Sequence, residues 1–69
     1  MTNSQKIKMA LIYKNKKASW LALQLGTTSQ AFNQRLKTDK FSTAELENIA
    51  SILEATYCAA FEFPDGTRL

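Results

Sequence analysis

Residues 25–34 read LGTTSQAFNQ, and this stretch is the strongest indication of the fold in the chain. Gly26 supplies the positive φ that favours the end of a helix, and Thr28 can accept hydrogen bonds from the free N–H groups of a following helix. The connection between the two helices is so short that they must cross at a steep angle. The stretch therefore predicts a helix-turn-helix.

Turn residues and apolar spacing predict two further helices. The four helices are expected over about residues 4–14, 18–25, 29–37 and 43–55. The second has a weak start, because Lys17 stands where a serine or threonine would cap it. The fourth has the best-specified start, a capping box formed by Ser42 and Glu45.

The period of the apolar residues changes after Thr56. Alternation from Tyr57 to Phe63 predicts a strand over about 57–63, and the turn sequence FPDGT leads to a stub at 67–69. We expect an all-α fold, a four-helix helix-turn-helix domain with a short C-terminal β-hairpin or strand. Residues 1–56 form the domain, and the 57–69 tail packs on it or pairs with another subunit, since an isolated hairpin is marginal in water.

Length and composition limit the possible functions. A chain of 69 residues with no histidine and one cysteine offers no ordinary catalytic triad, no Cys/His zinc set and no internal disulfide. No catalytic residue, metal site or cofactor is predicted, and no small-molecule ligand is evident. The sequence contains neither a recognisable leader nor an apolar run of about 20 residues, so we expect a cytoplasmic protein without a membrane partner.

The charge is unevenly distributed along the chain. Residues 1–40 carry eight lysines and arginines against one aspartate, a net charge of +7, whereas residues 41–69 have a net charge of −4. Such an imbalance is typical of a surface that meets a polyanion. A lysine-rich surface that is merely solvated remains the alternative.

Four polar residues share one arc of the third helix, away from its predicted core positions Phe32 and Leu36: Gln30, Asn33, Gln34 and Lys37. A side-chain amide offers a donor and an acceptor together, which is the pairing that suits adenine N6 and N7. The alternative is that these amides only keep an outward face soluble.

Residues 7–53 resemble the Cro and phage-repressor type of helix-turn-helix domain, whose signature is matched by LAxxLGTT at residues 21–28. The stretch from residue 25 to residue 42 is closer still to small regulators of bacterial mobile elements, in which a Pro-Asp-Gly hairpin also follows the fourth helix. The resemblance implies sequence-specific binding to double-stranded DNA by a homodimeric transcriptional repressor, with the third helix in the major groove.

The resemblance also implies roles for individual residues. The positions that would contact bases are Ser29, Gln30, Asn33 and Gln34. The positions that would contact phosphates are Lys16, Lys17, Thr28, Lys37 and Lys40. In the family, a polar residue near the start of the second helix often contacts a phosphate. Here the two lysines before that helix are expected to take this role.

A second apolar surface is predicted on the outer sides of the first two helices. Met9, Ile12 and Tyr13 fall opposite the core stripe of the first helix, and Trp20 and Leu23 fall opposite that of the second. Either the tail covers this surface or a second subunit does, and the possible interface residues are Trp20, Leu23, Tyr57, Phe61 and Phe63. The alternative function is a protein-interaction module, such as an antitoxin component, that uses this outer face.

Overall fold

The computed structural model describes residues 1–58 and 60–69. The elements in chain order are helices α1 (Asn3–Tyr13), α2 (Ala18–Gln24), α3 (Ser29–Thr38) and α4 (Thr43–Ile52), followed by strands β1 (Thr56–Tyr57) and β2 (Phe61–Glu62). The two strands are antiparallel neighbours in one small sheet. The predicted fold class, four helices with a short β tail, is confirmed.

The beginnings of the helices follow their capping residues. Ser42 and Glu45 form the predicted capping box at α4, and Lys17 precedes α2 without any side-chain cap, also as predicted. A second capping box, formed by Thr2 and Gln5, starts α1 one residue earlier than the sequence analysis expected. Its Thr-x-x-Gln pattern is visible in the sequence and was missed.

Three of the helices end in a Schellman motif, in which the chain turns through a residue with positive φ. These residues are Asn15 after α1, Gly26 after α2 and Glu54 after α4. In each case the next N–H donates to a carbonyl five residues earlier, as Thr27 does to Ala22 at 3.0 Å, which is the Schellman arrangement. The predicted extension of α4 to residue 55 is wrong because this motif closes the helix at a glutamate, a residue type that gives no stop signal.

One core joins all four helices and the tail. Phe32 and Leu36, the predicted core positions of α3, are both buried. The core residues are Ile7, Ala10, Leu11, Leu21, Ala22, Phe32, Leu36, Leu46, Ile49, Ala50, Leu53, Phe61 and Phe63.

The predicted single strand over residues 57–63 is wrong, because the chain reverses within it. Tyr57 pairs with Phe61, and the N–H of Cys58 donates to the carbonyl of Ala60 at 2.8 Å, which closes the reversal. Ala59, which lies inside the predicted strand, is outside the described residues. Alternation with period two is the same for one long strand and for two short strands joined by a tight turn, so the pattern could not separate them.

The second reversal lies where the sequence predicts it. The backbones of Glu62 and Arg68 form an isolated antiparallel β-bridge. Between them, the N–H of Gly66 donates to the carbonyl of Phe63 at 2.9 Å. The side chain of Asp65 accepts from the N–H of Thr67 at 2.9 Å, which is the local bond that favours aspartate in turns. The 67–69 stub therefore lies beside β2, and the tail forms a compact meander.

The tail packs on α1. The rings of Tyr13 and Phe63 lie 4.5 Å apart between centroids, and the Tyr13 hydroxyl donates to the carboxylate of Asp65. Because this hydrogen bond stabilises the charged carboxylate, it lowers the pKa of Asp65 to about 2, with a second contribution from the N–H of Thr67. Within the described residues, no helix is long and apolar enough to cross a membrane.

Candidate nucleic-acid interface

The turn between α2 and α3 is built as its sequence predicts. Gly26 has a φ of +74°, and a Cβ at this position would meet nothing within 4 Å, so the backbone angle alone favours glycine here. The Thr28 hydroxyl oxygen accepts from the N–H of Ala31 at 3.1 Å and so caps α3. Its hydroxyl proton remains available to donate outward, which is what a phosphate contact requires.

The polar side of α3 faces solvent. Phe32 is 2% exposed on the inner side of the helix, whereas Ser29 and the three amides Gln30, Asn33 and Gln34 are all exposed. These amides, which we call the amide arc, have no hydrogen-bond partner in the described part of the chain. Their donors and acceptors are therefore free to pair with an external molecule.

Two open grooves border this side of α3. One, of about 440 Å³, is lined by Thr28, Ala31 and the two glutamines of the amide arc. The other, of about 700 Å³, runs between residues 15–20 and the turn at residues 27–29. The second groove brings together Lys16, Lys17 and Thr28, three of the five residues predicted to contact phosphates.

The other two predicted phosphate contacts lie at the opposite end of α3. Lys37 is exposed in its last turn, and Lys40 is exposed in the loop that follows. Nine residues of helix separate Thr28 from Lys37, or about 14 Å at 1.5 Å per residue. The five predicted phosphate contacts therefore fall in two groups, one at each end of the amide arc.

Lys16 is held by an aromatic ring. Its Nζ lies 5.0 Å from the centroid of the Trp20 ring, within the range of a cation–π contact. Trp20 is half-buried against the core, so it forms both the wall of the groove and a support for this ammonium group.

Arg35 joins α3 to α4, a role that the sequence analysis did not predict. Its guanidinium donates to the Glu45 carboxylate and to the carbonyl of Lys40, the latter at 3.2 Å, and lies 5.1 Å from the centroid of the Phe41 ring. The pKa of Glu45 is lowered, first by the N–H of Ser42 and then by Arg35. The charge of Arg35 is thus directed toward α4, away from the amide arc.

Ser4 and Asp39 join the end of α3 to the beginning of α1. The N–H of Ser4 donates to Asp39 Oδ1 at 2.7 Å. The Ser4 hydroxyl lies 2.9 Å from the same carboxylate oxygen and 2.6 Å from the carbonyl of Leu36, so its proton is shared between two acceptors. No pattern in the sequence reveals this joint, because residues 35 positions apart share no local signal.

The predicted dimer-interface residues divide into two groups. Phe61 and Phe63 are buried in the core of their own chain and Tyr57 is half-buried, so the alternative in which the tail covers its own domain describes them. Phe61 and Phe63 are therefore not accessible to a second subunit in this structure, whereas Tyr57 and Trp20, both half-buried, stay predicted interface residues. Leu23 remains 73% exposed, and Ile12 on α1 is 78% exposed.

The described residues contain no group of three or more side chains of the His, Cys, Asp or Glu type that could hold a metal ion. Comparison with known proteins gives no further assignment: no protein-family model, curated protein or solved structure matches the chain.

Proposed function

We propose that this protein binds double-stranded DNA in a sequence-specific manner and acts as a transcriptional repressor, with α3 in the major groove. The observation that carries the proposal is the amide arc: exposed amides without partners on the helix that begins directly after a helix-turn-helix turn. The resemblance of residues 7–53 to the Cro and phage-repressor type of domain supports it.

The dimensions of α3 suit this partner. A helix about 10–12 Å across fits the major groove of B-form DNA, which is about 12 Å wide. Gln30 and Gln34 are one turn apart, with Asn33 beside them, so successive base pairs come within reach. Bidentate pairing of a glutamine or asparagine with adenine N6 and N7 supplies the specificity.

The surrounding charges provide the non-specific part of the affinity. Lys16 and Lys17 lie in the groove at one end of α3, with Lys37 and Lys40 exposed at the other. The phosphates on both sides of the groove that α3 enters would meet these two groups. Binding of this kind releases counterions from DNA, so it weakens as salt increases.

A second copy of the chain completes the proposal. One recognition helix contacts only a few base pairs, so domains of this type usually bind as dimers to half-sites about one helical turn apart. A homodimer acting on DNA in the cytoplasm is the arrangement that we propose for this protein.

The test is DNA binding measured by fluorescence anisotropy, first on sequences selected from a random pool and then across a salt series. We expect the affinity to fall with salt with a log–log slope of about −0.9 per neutralised phosphate. The double change Lys16→Ala and Lys17→Ala should weaken selected and random DNA alike and reduce the slope by about 2.

The matched control is Arg68→Ala, which removes a cation that pairs with Glu62 in the tail, 3.3 Å away. It should leave the slope unchanged. A complex insensitive to salt, or no complex at low salt, contradicts DNA binding.

One observation favours a different function. Ile12 and Leu23 expose apolar side chains on the outer sides of α1 and α2, which is the surface that a protein-interaction module would use. If DNA does not bind, this module, for example an antitoxin component, becomes the better proposal.

A further inference from the structure

Asp39 is an anomaly in the basic half of the chain. It is the only acidic residue among the first 40, and it follows α3 directly, between Lys37 and Lys40. A carboxylate at this place would repel the phosphates that these two lysines attract. Asp39 therefore either opposes DNA binding or has a role that its contacts within the chain explain.

The contacts of Asp39 direct its charge away from α3. Its Oδ1 accepts from both the N–H and the hydroxyl of Ser4, in the first turn of α1. The first-turn N–H groups of a helix have no partner inside the helix and carry partial positive charge, so they bind an anion well. These bonds stabilise the charged form, and the N–H of Ser4 makes the largest contribution to the lowered pKa of the Asp39 carboxyl.

The joint also fixes the backbone at the end of α3. Asp39 caps the helix with a φ of 54°, in the left-handed region that glycine, asparagine and aspartate adopt more readily than other residues. Ser4 is 5% exposed, and its hydroxyl also reaches the carbonyl of Leu36 in the last turn of α3. One residue of α1 therefore holds both a carbonyl of α3 and the residue that ends it.

We propose that Asp39 is a positioning residue, which fixes the C-terminal end of α3 against α1 and thereby sets the direction in which the amide arc meets the bases. This inference rests on the proposed function. The turn at Gly26 fixes the beginning of α3, and Arg35 fixes its last turn against α4. The Asp39–Ser4 joint links α3 to α1.

The change Asp39→Gly tests the inference, because two roles for this residue predict different results. Glycine adopts the left-handed conformation readily, so the change removes both the charge and the acceptor for Ser4 without straining the backbone. If Asp39 only repels DNA, its neutralisation should strengthen binding to selected and random sequences equally. If it positions α3, affinity for the selected sequence should fall relative to random DNA by about tenfold, the size of one lost bidentate base contact.

Two further variants make the comparison sharp. Glu47→Gln neutralises an exposed acid on α4, so it controls for the change in net charge and should leave the ratio of selected to random affinity unchanged. Ser4→Ala keeps the charge of Asp39 but removes the hydroxyl from the joint, and it should lower the ratio. The double variant of Ser4 and Asp39 should lose less than the sum of the two single changes, since both act on the same joint.

All affinities are compared at a temperature at which circular dichroism finds each variant folded. A ratio that stays constant in Asp39→Gly, with stronger binding throughout as in Glu47→Gln, overturns the positioning role and leaves the proposed function intact. Failure of the unchanged protein to bind any DNA overturns the proposed function and the positioning role together.

Discussion

Two exposed surfaces of this protein differ in what their exposure costs. The amide arc on α3 presents polar groups to water, whereas Ile12 and Leu23 present apolar side chains on the outer sides of α1 and α2. Water satisfies an exposed amide as well as a partner does. Covering an exposed apolar side chain, by contrast, contributes a favourable free energy of about 25 cal/mol for each Å² removed from water.

Exposure therefore has a different significance on the two surfaces. For the amide arc, exposure shows only that the polar groups are available. Its position on the helix that follows the helix-turn-helix turn is what supports DNA as the proposed partner. On the outer face the tail covers part of the apolar surface, since the ring of Tyr13 packs against that of Phe63, but Ile12 and Leu23 remain uncovered. The following changes test each surface against a matched position.

The largest expected effect separates the inner side of α3 from the exposed surfaces. Phe32→Ala should unfold the domain, because truncation of a buried aromatic residue costs about 3–5 kcal/mol and a core of this size rarely supplies more than about 3–5 kcal/mol. Leu23→Ala, at an exposed position, should change the free energy of unfolding by less than about 0.5 kcal/mol. Urea denaturation followed by circular dichroism measures both. A stable, folded Phe32→Ala protein would show that α3 does not depend on this anchor.

The next effect concerns the amide arc itself. Gln30→Ala or Gln34→Ala should weaken binding to the selected DNA by about 1–3 kcal/mol and binding to random DNA much less. Gln24→Ala is the matched control, because it removes an exposed amide from α2 instead of α3. If Gln30→Ala, Gln34→Ala and the control give the same ratio of selected to random affinity, the amide arc does not contact bases.

A smaller effect should appear on the part of the apolar surface that the tail covers. Since the pKa of Asp65 lies at about 2, below its ordinary 3.8, the unfolded chain takes up protons first as the pH falls. The stabilisation is therefore complete above about pH 4 and is lost as the pH falls toward 2. Tyr13→Phe should flatten this part of the profile of unfolding free energy against pH.

The control for this experiment is Tyr57→Phe. Tyr57 contacts Phe61 through its ring, with 5.6 Å between centroids, and its hydroxyl has no hydrogen bond among the described residues. Its variant should keep the acid dependence of the unchanged protein. An equal loss of acid dependence in both variants would separate the behaviour of Asp65 from Tyr13.

The smallest effect on stability is expected at the uncovered apolar residues. Ile12→Ser and Leu23→Ser should each change the free energy of unfolding by about 0.5 kcal/mol or less. If this face joins two subunits, the same changes should convert a dimer into a monomer in analytical ultracentrifugation. Unchanged association in the double variant would place the dimer interface elsewhere.

Local chemistry accounts for the elements that the sequence predicted well. A capping box depends on residues three positions apart, so Ser42 and Glu45 could be recognised without any knowledge of the fold. The same holds for the glycine that ends α2 and for the turn at Asp65. The arrangement of the amide arc opposite Phe32 follows from helical periodicity alone.

Two predicted boundaries are wrong, the end of α4 and the extent of the strand after Thr56. In both, the residues at the boundary do not indicate where the element ends. The end of α4 at Ile52 depends on a positive φ at Glu54, a residue that does not usually mark one. The reversal after Tyr57 leaves the alternation of apolar residues unchanged, so one strand and two strands read alike.

Four features could be predicted from the residues alone: the four helices, the turn between α2 and α3, the side of α3 that faces outward and the concentration of positive charge in residues 1–40. Each of these follows from neighbours in the chain or from a count of charges. The folded protein adds that Phe61 and Phe63 belong to the core of their own chain, that Arg35 points toward α4, and that Asp39 binds the first turn of α1. Because these contacts join residues from different elements, their geometry exists only once the helices have packed.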